Sequence, residues 1–193
     1  MKLTMASSVN MMSSFCLAAL LAWTLQSCGG GNTGAKHDDA VDSVEAVNDT
    51  TAAVDEESAD FAVKAASGGM MEVQLGGIAQ SNAASPRVKE FGNMMVRDHS
   101  KANDELKSLA VTKNIALPDS VGEDHKKHID DLTKLKGAKF DREYIDMMVN
   151  DHQDDVDMFD KAANNLKDPD LKAFAARTLP TLRAHLDSAK SIQ

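Results

Sequence analysis

The chain has 193 residues and carries 30 acids against 21 bases, a formal net charge of −9. That length allows one folded domain with extensions, and the acidity, with no basic stripe interleaved with aromatics, excludes a nucleic-acid partner. The two cysteines, Cys16 and Cys28, both fall near the N-terminus, so the remainder can hold no disulfide, thiol nucleophile or cysteine-rich zinc site.

The first 27 residues read as an export signal. Lys2 precedes the small, apolar run "FCLAALLAWTL", which has the length of a signal h-region. A transmembrane helix would need about 20 apolar residues. The run ends in Leu25-Gln26-Ser27-Cys28, which resembles a bacterial lipobox. Residues 1–27 are therefore expected to be a lipoprotein signal peptide, with Cys28 lipidated and serving as the membrane attachment. An ordinary signal peptide cleaved nearby would instead release a periplasmic protein. Either way the expected location is the cell envelope.

From Gly29 to Glu57 the chain is small, polar and acidic, with eight acids and only Lys36 as a base. Such a composition buries too little apolar surface to fold. Residues 28–57 are expected to be a disordered acidic tether. Removing those eight acids, with Lys2 and Lys36, from the chain totals leaves 22 acids and 19 bases over 58–193. The acidity thus belongs mostly to the tether.

Residues 58–193 read throughout as helix, rich in Ala, Leu, Met, Lys and Glu. A first helix is expected over about 58–82, with Phe61, Ala65, Met71, Leu75 and Ile78 near helical spacing. Its two Gly-Gly pairs weaken it, by roughly 1 kcal/mol per glycine, unless another helix packs closely there. A second helix opens at Ser85-Pro86, an N-cap followed by a proline at the first helical position, and continues to about Lys113. After "NIALPDS" a short helix is expected over about 120–136, stopping at Gly137. A fourth runs over about 140–166, and a fifth is capped by Asp168 and bent by Pro180. Two hairpins joined by a long crossover that holds a short helix is the layout of an all-α, ferritin-like antiparallel four-helix bundle.

Four ionisable residues interrupt the apolar stripes, one on each long helix: Glu72, His99, His152 and His185. Counted from the turns at about 1.5 Å per residue, they fall within a band of roughly 9 Å. Three imidazoles and a carboxylate suit a transition metal such as copper, iron or zinc. His99 and His152 close two similar phrases, "FGNMMVRDH" and "YIDMMVNDH". Met95 and Met148, one turn ahead of them, are soft candidate ligands, and Tyr144 is a candidate second partner for the polar cluster. Asp98 and Asp151, beside their histidines and about 100° around the helix, are expected at the flank, outside a shared ligand set, where they can hydrogen-bond a neighbouring helix or meet solvent. His125 and His128, in "EDHKKHIDD", are expected on a solvated face. A self-satisfied polar core, with no metal, accounts for the same four residues.

No nucleophile stands at local spacing from a base, and there is no phosphate loop or dinucleotide fingerprint. No Glu-x-x-His pair precedes His99, His152 or His185, which disfavours a di-iron oxidase. No catalytic residue is assigned, and an enzyme is not expected. The motifs "MVRDH", "FDREY…MMVNDH", "LPTLRAHL" and "MMEVQLGGIAQ" are similar to those of a bacterial family of outer-membrane or periplasmic proteins, the domain of unknown function numbered 4142. The resemblance covers about residues 60–192. It implies a ferritin-like helical fold and export to the envelope, and it implies no reaction.

Overall fold

In the computed structural model, residues 39–193 are described; the expected signal peptide, the expected lipid site Cys28 and the first part of the expected tether lie outside them. Every regular element among the described residues is an α-helix. They are α1 (Ala40–Thr51), α2 (Glu56–Asn82), α3 (Pro86–Thr112), α4 (Glu123–Thr133), α5 (Gly137–Asn165) and α6 (Pro169–Ile192). None is long and apolar enough to cross a membrane.

α2 packs along α3 and α5 along α6, and the two hairpins meet through α3 against α6 and α2 against α5. The turns are short and chemically defined. Pro86 opens α3 as expected, but Ser85 makes no side-chain cap. Asp141 of α5 instead ties down the turn ahead of α3, accepting from Ala84 N and Ser85 N at 3.0 and 2.9 Å. Asp168 caps α6 by accepting from Asp170 N and Leu171 N, and it also pairs with Lys113 Nζ at 2.7 Å. Gly137, at φ +65°, opens α5. α4 has already ended at Thr133. Pro180 lies inside α6, which continues through it.

The tether expectation needs correction. Residues 40–51 are helical, and α2 begins at Glu56. Composition misses this because α1 needs little apolar surface of its own. It is held by polar anchors: buried Asn48 donates to Ala116 O at 2.9 Å and accepts from Ala116 N at 2.7 Å. Asp39 caps two helices at once, accepting from Val41 N and from Glu123 N at 3.0 Å each.

The core falls into two apolar clusters. One, around Phe61, Leu106, Phe159, Phe174 and Leu182, fills one end. The other, around Leu75, Phe91, Met95, Phe140 and Met148, fills the opposite end. Between them lies a polar layer of buried Glu72, His99, His152 and His185.

Candidate metal centre

Each of the four long helices delivers one group to this layer: Glu72 from α2, His99 from α3, His152 from α5 and His185 from α6. All are at least 95 % buried. Glu72 is drawn in because Met71 and Leu75, on the same face of α2, are fully buried. The three imidazoles each offer a ring nitrogen, and these atoms lie within 4.8 Å of one another. Ring centroids are 5.2–5.6 Å apart. Glu72 Oε2 lies 2.6 Å from His99 Nδ1, and Oε1 lies 3.3 Å from His152 Nε2. Neither approach has hydrogen-bond geometry, so both carboxylate oxygens are buried without a hydrogen-bond partner.

The neighbours assign the tautomers. His152 Nδ1 donates to the Met148 carbonyl at 3.0 Å, which leaves Nε2 with a lone pair. His185 Nε2 lies 3.0 Å from Asp98 Oδ2. Arg97 holds Asp98 below the usual carboxylate range through hydrogen bonds of 2.8 and 2.9 Å. An ionised Asp98 accepts the His185 Nε2 proton, and a neutral His185 then points the Nδ1 lone pair at His152 Nε2, 3.3 Å away. The His185 Nδ1 lone pair and Glu72 Oε1 thus each approach His152 Nε2 to 3.3 Å. Such a cluster is repulsive without a cation or a proton between its members.

Burial disfavours that proton on an imidazole and favours it on Glu72. It lowers His152 to about 3 and His99 to about 4, and lowers His185 as well. The same burial pushes the Glu72 carboxyl well above its ordinary range. A cavity of about 20 Å³, lined by Glu72, His99, Asn103, Asp155 and Thr178 among apolar side chains, adjoins the cluster. That is room for about one water-sized species.

Met95 and Met148 are fully buried within the apolar cluster, and Met148 serves the site through its carbonyl. Tyr144 is also fully buried, stacked on Phe140. Its hydroxyl has no hydrogen-bond partner among the described residues, and burial, with the nearby Glu72 and Asp151 charges, holds it well above the usual phenol range. His128 is exposed, but His125 is half-buried and bonds Ser67 Oγ through Nδ1 at 2.9 Å.

Asp98, at the flank, hydrogen-bonds the neighbouring helix α6 and so orients His185. Asp151 brings a carboxylate oxygen within 4.8 Å of donor atoms of Glu72 and His152, so it does not stand apart from the cluster. The 100° step from His152 turns Asp151 off the central axis, but a side chain adjacent to a central residue still reaches the edge of the layer. Asp155, three residues after His152 and four after Asp151, shares their face by helical spacing. That spacing was a usable signal.

Fold and site together define an all-helical domain in which four long helices surround one buried His/Glu centre. The chain belongs to the family described as Domain of unknown function (DUF4142), whose profile matches residues 43–192. A crystal structure of a DUF305 fragment from Deinococcus radiodurans is similar in fold, with a TM-score of 0.64 at 11% identity, over 72% of this chain and 96% of that one. No curated protein matches the chain.

Proposed function

We propose that residues 58–193 form a ferritin-like four-helix bundle that binds one transition-metal ion through Glu72, His99, His152 and His185, without catalysing a reaction. One observation carries the reading. His152 Nε2 stands 3.3 Å from His185 Nδ1 and 3.3 Å from Glu72 Oε1. Two ligands each about 2.0–2.1 Å from a tetrahedral ion stand about 3.3 Å apart. The donor set of imidazoles and a carboxylate suits zinc, iron or copper over magnesium or calcium.

The test is elemental analysis of untagged protein purified without chelator, repeated on a His99→Ala/His152→Ala variant. Stoichiometric metal in the wild type, lost in the variant, is expected. Added metal at 100 times its Kd should stabilise the wild type by about 2.7 kcal/mol. A metal-free wild type that copper, iron and zinc all fail to stabilise would sink the proposal. It would leave a polar core in which a proton on His185, held by Asp98, fills the gap. The lipid anchor at Cys28 belongs to the same reading of an envelope protein. A Cys28→Ser chain is expected to leave the membrane fraction.

A further inference from the structure

A second cavity, of about 560 Å³, opens beside the centre between α1, α2, the start of α4 and α5. Besides Asp39, whose carboxylate caps α1 and α4, its wall carries Asp42, Glu45, Asp124, Asp151, Asp154 and Asp155, against Lys64 and His125 as the only bases among the described residues. None of these six acids has an ion-pair partner among the described residues, although exposed acids elsewhere, such as Glu105 and Asp160, pair with arginine. A concentration of like charge is costly, and an acidic wall by itself is commonly a solvated surface. Here two features connect it to the buried centre.

Asp155 stands in the wall of this cavity and also in that of the small cavity that reaches Glu72 and His99. Asp151 lines the large cavity and belongs to a second donor group, with Glu72 and His152, whose ligand atoms lie within 4.8 Å of one another. Within that group Glu72 is fully buried with both oxygens unpartnered, and Asp151 Oδ2 is likewise buried without a partner. Asp151 and Asp155 are one helical turn apart, a rise of about 6 Å along α5.

His152 belongs to both donor groups. Its Nδ1 is committed to the Met148 carbonyl, and the single lone pair on Nε2 cannot serve two ions at once. Occupation of the two groups is therefore sequential. We propose that a divalent transition-metal cation enters through the acidic cavity, passes Asp155, pauses on an outer stop formed by Glu72, Asp151 and His152, and is then handed to His99, His152 and His185. Glu72 and His152 hold the ion throughout the transfer, while Asp151 is exchanged for the inner imidazoles. This route rests on the metal-binding reading above, and adds to it a direction of loading and a second set of ligands.

Stopped-flow mixing of the full chain with cobalt(II) tests it, because the visible absorption of cobalt reports a low-coordinate nitrogen and oxygen site. Asp155→Asn is expected to slow loading at least tenfold and to weaken its dependence on salt, with the final stoichiometry and spectrum unchanged. Focusing of a cation by a cleft of one sign changes association by about 10–10³-fold. Asp119→Asn, an exposed acid outside the cavity, should load at the wild-type rate. Should Asp155→Asn fail to fold, Asp42→Asn/Glu45→Gln, on the α1 side of the cavity, still removes two wall charges and is expected to slow loading severalfold. Wild-type rates in both cavity variants, with normal loading of the wild type, overturn the route and leave the metal site standing. A wild type that takes up no cobalt overturns the metal reading and the route with it.

Discussion

Gly76 and Gly77 are neighbours on α2, yet the fold treats them oppositely. A Cβ at Gly76 would lie 2.5 Å from Gly92 O, 3.0 Å from Val96 Cγ2 and 3.2 Å from Met95 Cβ, whereas a Cβ at Gly77 would meet nothing within 4 Å. The Gly76 contact is with backbone, so it cannot be relieved by turning a side chain. α2 and α3 would have to separate by about 1 Å to restore ordinary carbon–oxygen contact. Such overpacking costs typically about 1–3 kcal/mol. Each Gly→Ala change also gains about 1 kcal/mol of helix propensity. That gain is common to both positions, so the difference between the two variants isolates the steric cost. Gly77→Ala should be stabilised by about 1 kcal/mol, and Gly76→Ala should fall below it by about 1–3 kcal/mol. For a chain of this size that is a gap of roughly 2–12 °C in Tm. Thermal denaturation of both variants in EDTA, followed by far-UV circular dichroism, measures it without interference from metal. The crossing also bears on the site, since Glu72 lies one turn from Gly76 and meets His99 of α3 at 2.6 Å. Metal affinity should therefore drop in Gly76→Ala and hold in Gly77→Ala. Equal melting temperatures would refute the close crossing of α2 and α3.

Three further outcomes are expected. Asn48→Ala removes the two hydrogen bonds that dock α1 to Ala116 and strands its backbone groups, a cost of about 1–3 kcal/mol; limited proteolysis should then cut within 39–55 ahead of the rest, and an unchanged pattern would show that α1 is held by other contacts. Tyr144→Phe removes a buried hydroxyl that has no partner, so stability to urea should hold or rise by up to about 1 kcal/mol, and a loss above that would reveal a partner for the hydroxyl. The metal-free protein should lose stability as pH rises above about 6.5. Burial raises the carboxyl of Glu72 well above its ordinary range, so the folded state keeps a proton that the unfolded carboxylate has shed. Between about pH 4.5 and 6.5 the unfolded chain gains protons on His99, His152 and His185, whose folded values are lowered, and this opposes the effect. Above 6.5 only the Glu72 carboxyl remains, and its retained proton contributes a fall of about 1.4 kcal/mol per pH unit until its folded pKa is passed. Urea titrations in EDTA at pH 6 and 8 check this, and greater stability at pH 8 would contradict it.

The four long helices were legible because each signals itself locally. Ser85-Pro86, Asp168-Pro169 and the apolar periodicity of Phe140, Tyr144 and Met148 place boundaries within a few residues of those observed. The inward histidines and Glu72 were legible for the same reason, since a charged residue in an apolar stripe has one direction to point. α1 was not legible. Its attachment depends on Asn48 meeting a loop carbonyl 68 positions away, and no local pattern encodes that. Composition registered only that the segment is acidic, which is as true of a cavity wall as of a solvated linker.

The aspartates of the two repeated phrases show where one-dimensional periodicity loses resolution. Asp98 and Asp151 occupy the same place in "VRDH" and "VNDH", yet they do different work. Asp98 reaches across to His185 on α6 and fixes its tautomer. Asp151 remains near His152 of its own helix and faces Glu72 and the acidic cavity. The difference comes from the neighbours: α3 packs against α6, while α5 faces α2 and lies beside the cavity that α1 helps to wall. One phrase thus serves both sides of the centre. On α3 its Asp–His pair holds an imidazole and steadies another from outside, and on α5 it adds a carboxylate that faces the incoming charge. A duplicated motif with one function would have predicted equivalent effects of Asp98→Asn and Asp151→Asn. The packing predicts that Asp98→Asn weakens metal retention by freeing His185, whereas Asp151→Asn slows loading.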